Sequence, residues 1–284
     1  MAQPAASTLQ LIAFQGERGA YGEEALVRYY GPEVEPVPCV SFAGVFEAVA
    51  SGHADGGLVP IENSQAGSIN EVYDLLRTAG LYLTGEICLP VNHCLLCLPG
   101  QSLGDIRQVL SHPQALAQSD AYLRELGVEI IAAYDTAGSA KRIREEKLHG
   151  VGAVASARAA QLYDLEILAS GIQTVKDNYT RFVALSRQPA AAPTPESSAK
   201  TVLMLSTSHT PGALHAALGE FATRGINLLK LESRPSRLTP WEYVFYLDVE
   251  GGASVPPVSE ALAALAAKAT HIQVFGSFPA SPDC

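Results

Sequence analysis

Asn178-Tyr179-Thr180-Arg181-Phe182 sets a hydroxyl, a permanent cation and an aromatic ring side by side, directly ahead of the apolar run Val183-Ala184-Leu185. The apolar run reads as a buried strand. Successive strand side chains point to opposite faces, so Thr180 and Phe182 share one face and Arg181 takes the other. A hydroxyl beside a guanidinium suits a small carboxylate that carries a reactive oxygen. Read alone, these five residues fit a surface loop entering a core strand better than a site.

Three further polar clusters change that balance. Glu62-Asn63-Ser64-Gln65-Ala66-Gly67-Ser68 follows the apolar run Gly56 to Ile61 and precedes a helical pattern. In open α/β sheets ligands bind at that end of a strand. Asn63 and Ser64 can offer side-chain groups and backbone N–H to an anion. Ser111-His112-Pro113-Gln114-Ala115-Leu116 opens another helix, with Ser111 or His112 as cap and Pro113 in the first turn, where proline is tolerated. Asp135-Thr136-Ala137-Gly138-Ser139 repeats the arrangement. Four polar clusters at strand ends, 62–68, 111–114, 135–139 and 178–181, point to one shared cleft. The Gly-rich loop Gln15 to Gly22 fails the dinucleotide G-x-G-x-x-G spacing.

The elements that must position these clusters alternate, strand then helix, from residue 9 to residue 185, which predicts an α/β fold with mostly parallel pairing. Ser41 is an N-cap candidate for a helix through Ser51, and a single helix is expected from Pro113 to about Leu126. Gln188 to Ala199, with Pro189, Pro193 and Pro195, reads as a linker. After it the order is βαββαβ, with the third strand, Glu242 to Val249, rich in aromatics. That order is a ferredoxin-like unit. It holds no cluster of titratable groups suited to catalysis, so it reads as a binding or assembly module.

The totals bound the rest. At 284 residues, 48% hydrophobic and 17% charged, the chain can build two globular domains. A net charge of −10 without a basic run argues against nucleic acid as the main partner. An anionic ligand would have to be held by a few placed cations and helix N-termini. Met1 to Gln10 lacks a basic segment followed by an apolar core, and no apolar stretch is long enough for a bilayer, so a cytoplasmic location without membrane association is expected. Of the cysteines at 39, 88, 94, 97 and 284, Cys94 and Cys97 form a C-x-x-C beside His93. No second Cys/His pair with metal spacing accompanies them, so they read as buried thiols, and no metal or cofactor is expected.

Taken in order, these motifs resemble those of monofunctional prephenate dehydratases with a C-terminal ACT domain. The resemblance is carried by Val59-Pro60-Ile61-Glu62-Asn63-Ser64, Ser111 to Leu116, Asp135-Thr136 and Asn178 to Phe182, then by Gly212-Ala213-Leu214 and Glu232-Ser233-Arg234-Pro235. It implies two α/β lobes like a periplasmic binding protein over residues 1–188, a linker over 189–199 and an ACT domain over 200–280. It implies decarboxylative dehydration of prephenate to phenylpyruvate, with Thr180 catalytic and Asn63, Ser64, Ser111, His112, Gln114, Thr136, Arg181 and Phe182 binding substrate. Phenylalanine would inhibit through Gly212, Ala213, Leu214, Asn227, Leu228 and Glu232 to Pro235, and the chain would form a homodimer or homotetramer. No chorismate mutase segment or dehydrogenase domain is expected. Gly22 stands where the family commonly has serine, and Gly19-Ala20-Tyr21 is also similar to arogenate dehydratases, which act on the amino-acid analogue. A carboxylate at Glu62 suits a dianionic substrate only if it is protonated or turned away. The alternatives left are an arogenate dehydratase and a non-catalytic solute-binding sensor.

Overall fold

Alternation of apolar runs with capped polar loops resolves into β1 (Leu11–Gln15), α1 (Tyr21–Tyr30), β2 (Glu35–Cys39), α2 (Phe42–Ser51), β3 (Gly56–Asn63), the short β4 (Gly67–Ser68), α3 (Asn70–Ala79) and β5 (Tyr82–Pro90). A second set follows: β6 (Cys94–Cys97), β7 (Gln108–Ser111), α4 (Pro113–Gln118), α5 (Asp120–Leu126), β8 (Glu129–Ala132), α6 (Thr136–Glu146), β9 (Val151–Ala155), α7 (Ala157–Leu162), β10 (Glu166–Ser170) and β11 (Tyr179–Ser186). The structure, a computed structural model, describes residues 10–194, 198–236, 243–282 and 284. The expected strand and linker residues Leu9, Pro195 and Glu242 lie outside the described residues.

The chain divides into two compact units: up to Arg77 together with Ile87–Phe182, and Thr78–Glu86 together with Val183–Cys284. The first unit has two lobes. One carries a sheet of order β2-β1-β3-β11-β5, in which β1 pairs in parallel with β2 and β3. The other carries β10-β6-β9-β7-β8, parallel at β8-β7-β9 and antiparallel at β9-β6-β10. The antiparallel half departs from the expected mostly parallel pattern: β6 follows directly from β5, and β10 leads directly into β11, so these two strands carry the chain into and out of the lobe. The crossing segments bond to each other: Val91 N donates to the Asn178 carbonyl at 2.7 Å and Ile172 N to that of His93 at 3.1 Å.

Helix starts obey local capping. Ser41 Oγ accepts from Gly44 N at 3.1 Å, Asp135 Oδ1 from Gly138 N at 2.7 Å and Ser156 Oγ from Ala159 N at 3.0 Å. The single helix expected over 113–126 is broken at Ser119 (φ −105°, ψ 11°), which leaves Gln118 Oε1 2.8 Å from His93 Nε2. The second lobe packs around Leu95, Val109, Leu116, Leu123 and Val154, all buried.

The second unit holds β12 (Ala199–Thr207), α8 (Ala213–Ala222), β13 (Leu228–Pro235), β14 (Tyr243–Glu250), α9 (Val258–Leu265) and β15 (Ala269–Pro279). Its antiparallel sheet is ordered β13-β14-β12-β15. Ala217 and Phe221 of α8 and Val258 and Leu265 of α9 meet Leu203, Leu205, Leu247 and Val249 in its core. Lys200 of β12 donates to Glu86 of β5 at 2.7 and 2.9 Å, an ion pair almost wholly buried. Among the described residues no helix is long and apolar enough to cross a membrane.

Candidate active site

Four strand ends of the first unit converge on a cavity of about 570 Å³, within the range of roughly 300–1,000 Å³ usual for small-molecule sites. β11 contributes Thr180 and Phe182, β3 contributes Asn63, and the starts of α4 and α6 contribute His112, Gln114 and Thr136. Six of the sequence-predicted residues therefore line one cavity. The period of two along β11 aims Thr180 and Phe182 into it, as expected.

Asn63 organises the floor. Its Oδ1 accepts from Gln65 N at 3.0 Å and Ala66 N at 2.9 Å, which fixes the amide's orientation. Its Nδ2 then faces three acceptors: Asn178 Oδ1 at 2.8 Å, Thr180 Oγ1 at 3.0 Å and the Tyr179 carbonyl at 3.1 Å. Thr180 Oγ1 is an acceptor in this network, so its own hydrogen is left for the cavity. His112 is fixed in the same sense. Its Nδ1 accepts from Gln114 N at 3.2 Å, so the neutral ring carries its proton on Nε2.

Three predicted residues are placed elsewhere. Arg181 lies on the opposite face of β11, its Nη2 3.5 Å from Glu62 Oε2 on the neighbouring β3. This also answers the expectation for Glu62, whose carboxylate is turned to a structural partner. Ser111 is fully buried, and its hydroxyl donates to the Val154 carbonyl of β9 at 2.6 Å. Ser64 Oγ accepts from Tyr179 N at 2.9 Å, tying β3's loop to β11. All three brace the strands beneath the cavity.

The wall also contains Gln15, Tyr21, Ser41, Glu71, Tyr134 and Asp135, which the sequence reading did not name as site residues. Their shared signal is position: each follows the end of a strand or opens a helix. A smaller chamber of about 120 Å³ adjoins, shares Thr180, Asn63 and Tyr21, and is closed by His93 and Gln118. The Tyr21 hydroxyl lies 2.9 Å from His93 Nδ1, and 2.9 Å from the Asn92 carbonyl, to which it donates. Burial pushes the Tyr21 phenol well above its ordinary range, with Cys94 and Glu24 adding to the rise. Burial holds the His93 imidazole below its own, against a smaller opposing effect of Gln118. Both are neutral groups at neutral pH.

Across the cleft from β11, the loop after β1 is seated on α7. Ser156 Oγ donates to the Gly19 carbonyl at 2.7 Å, and Tyr163 to that of Arg18 at 2.7 Å. A Cβ at Gly19, whose φ is +85°, would stand 3.0 Å from Ala159 Cα, so the approach requires glycine. Glu23, fully buried, accepts from Arg158 at 2.8 Å and Arg18 at 3.0 Å. Burial raises its carboxyl, but Arg158, the Gly19 N–H and Arg18 outweigh this and hold it below the usual range. Gly22 lines the cavity and leaves ordinary contact distance, 3.4 Å, for a side chain against Phe14 and the Gln15 carbonyl.

Cys94 and Cys97 are buried in the second lobe's sheet, and burial raises both thiols, Cys97 to about 11. Among the described residues no group of three or more His, Cys, Asp or Glu could hold a metal ion. In the second unit, Gly212 (φ +83°), Ala213 and Leu214 start α8. Strand register puts Glu232 to Pro235 toward the edge of the sheet where β12 ends, with Pro235 opposite Tyr243 and Ser206 opposite Val244. Asn227 and Leu228 lie at the other end, where Leu228 pairs with Val249.

Comparison with known proteins agrees with this architecture. The family model described as prephenate dehydratase matches residues 12–190, and that of the ACT domain matches residues 201–267. The chain is 45% identical over 277 residues to arogenate dehydratase/prephenate dehydratase 2 of Arabidopsis thaliana, covering 94% of this chain and 72% of that protein. It is 40% identical over 273 residues to the bifunctional N-acyl-homoserine lactone acylase/prephenate dehydratase of Komagataeibacter europaeus, covering 96% and 97%. The crystal structure of Arthrobacter aurescens prephenate dehydratase in complex with L-Phe superposes with a TM-score of 0.88 at 30% identity, covering 96% of this chain and 91% of that one. The chain belongs to the prephenate dehydratase family and is a dehydratase of aromatic amino acid biosynthesis that carries an ACT domain.

Proposed function

We propose that the cavity converts prephenate or its amino analogue arogenate to the corresponding aromatic product, and that phenylalanine inhibits through the ACT unit. The observation that carries this reading is the Asn63 amide donating into Thr180 Oγ1. In the reaction the ring carboxylate leaves as carbon dioxide. The electron pair of the broken C–C bond enters the ring, aromatises it and expels the hydroxyl, which takes up one proton and departs as water. Aromatisation supplies the driving force, so the protein's task is to stabilise the departing oxygen. A threonine hydroxyl is too weak an acid to ionise. Oriented by Asn63, it serves as a hydrogen-bond donor to that oxygen, and His112 Nε2–H is a second donor at the wall. Positioned donors of this kind are worth roughly 10²–10³-fold in kcat.

The purified chain should therefore release the aromatic product from one or both substrates, and Thr180→Ala should keep the fold and lose most of that turnover. Tight binding with no product from either substrate would instead support a solute-binding sensor. The regulatory part rests on Gly212 to Leu214 and Glu232 to Pro235 standing toward one edge of the ACT sheet, and on a relative crystallised with L-Phe. Phenylalanine should lower the rate, and Glu232→Ala should relieve it. Leu229 and Leu231, nearly half exposed on the edge strand β13, support pairing of ACT units in a dimer or tetramer, which sedimentation would detect.

A further inference from the structure

The charges of the cavity wall are one-sided. Among the described residues its lining contains two carboxylates, Asp135 and Glu71, and neither lysine nor arginine. The cation expected from the sequence, Arg181, lies on the other face of β11 beside Glu62. Lys141 of α6 is paired with Glu17 at 3.0 Å. Glu71 opens α3 and is exposed. Asp135 is different. It caps α6 with Oδ1, which accepts from Gly138 N at 2.7 Å. Its Oδ2 is held against the opposite lobe, 3.1 Å from where a Cβ of Gly16 would stand.

Capping alone does not call for this charge, because asparagine and serine cap as well as aspartate. Burial drives the Asp135 carboxyl upward, with Glu17 adding to the rise, and the Gly138 and Ala137 N–H groups and His112 only partly oppose it. Among the described residues no lysine or arginine pairs with it. A half-buried carboxylate without a lysine or arginine partner, on the wall of a ligand cavity, matches a ligand that brings its own cation.

Resting on the dehydratase reading, we infer that Asp135 is a specificity-determining residue that accepts the α-ammonium of arogenate and disfavours prephenate. Prephenate has a keto group at that carbon and two carboxylates. In a chain of net charge −10 it would meet Asp135 with no lining lysine or arginine to offset repulsion. Arogenate keeps the ring carboxylate and the leaving hydroxyl, so Thr180 and Asn63 serve both substrates alike. What differs is the side chain, whose ammonium can donate to Asp135 Oδ2 in a charge-assisted hydrogen bond that prephenate has no donor to make.

The test measures kcat/KM for both substrates with wild-type chain and Asp135→Asn, which keeps the capping oxygen. Wild type should prefer arogenate. In Asp135→Asn, arogenate should lose roughly 30-fold, the scale of a truncated buried charge pair, while prephenate gains severalfold. Asp135→Ser, also a good cap, should shift the ratio the same way and serves if the asparagine variant folds poorly. Wild-type preference for prephenate, or a ratio unmoved in both variants, overturns the role of Asp135 and leaves the dehydratase reading standing. Turnover of neither substrate by wild type overturns both.

Discussion

Asn63→Asp separates the chemistry of the site from its architecture. The substitution is isosteric and keeps the Oδ1 bonds from Gln65 N and Ala66 N. It removes the Nδ2 donor that faces Asn178 Oδ1, Thr180 Oγ1 and the Tyr179 carbonyl. The fold should absorb this. The Asn178 Nδ2 is buried and makes no hydrogen bond among the described residues, so the amide can rotate and donate to the new carboxylate. The Tyr179 carbonyl still accepts from Ser64 N at 2.8 Å. The structural cost is thus about one ordinary hydrogen bond, about 1 kcal/mol. The catalytic cost is larger. Thr180's hydroxyl now finds a carboxylate about 3 Å away and turns its hydrogen toward it, out of the cavity. Losing one donor to a developing oxyanion costs about 2.7–4 kcal/mol, or roughly 10²–10³ in kcat. Steady-state kinetics with the preferred substrate should show kcat falling by that factor with KM little changed. Asn63→Asp/Thr180→Ala should be no worse than Thr180→Ala, because both remove the same donor. Near-wild-type kcat, or additive losses in the double variant, would refute the role given to this network.

Three further outcomes follow from geometry. Glu23's carboxyl is held below its unfolded value, so it contributes stability that is present above the ordinary carboxylate range and lost as pH falls through the folded pKa. Glu23→Gln should cost about 1–3 kcal/mol at pH 7, with the two denaturation curves converging as pH falls through the lowered pKa of the folded carboxyl; a constant gap across pH would contradict this. Gly19→Ala should cost about 1–2 kcal/mol for its positive φ alone, before the contact with Ala159, and an unchanged urea midpoint would remove the close approach from the account. Lys200→Met takes the ammonium from the fully buried Glu86 side chain and should destabilise by about 3–5 kcal/mol in calorimetry, whereas Lys200→Met with Glu86→Leu should recover most of the loss; equal losses would contradict an ion pair there.

What the sequence revealed is what local physics controls. The period of two along β11 sorted Thr180 and Phe182 from Arg181. Ser41, Asp135 and Ser156 cap the helices that follow them, and strand-end polar clusters did converge. The misplaced residues failed for a common reason, which is long-range pairing. Nothing near Arg181 in sequence announces that Glu62 lies on the adjacent strand. Ser111 looks like a binding hydroxyl until β9 is laid beside β7 and the Val154 carbonyl takes it. Tyr21 and His93 are 72 residues apart, and their contact exists only once the first helix of one lobe meets the first strand of the other. The ACT unit was legible as an element order because each of its elements is a separate periodic run.

The distribution of charge gives the site its logic. Permanent charges near the cleft are committed to holding structure: Arg181 lies beside Glu62, Lys141 pairs with Glu17, and Arg158 and Arg18 converge on Glu23. The groups that surround Thr180 are amides, a phenol kept protonated and an imidazole kept neutral by burial. Such groups hold one protonation state over the whole neutral range and need no counter-ion inside the cavity. A fragmentation driven by aromatisation suits them, since it requires orientation and a hydrogen bond rather than a strong acid or base. Asp135 is then the exception: a partly desolvated carboxylate that, unlike the exposed Glu71, is held by its cap at a strand end, and the proposed ammonium contact would let it choose between substrates without taking part in the departure of the hydroxyl.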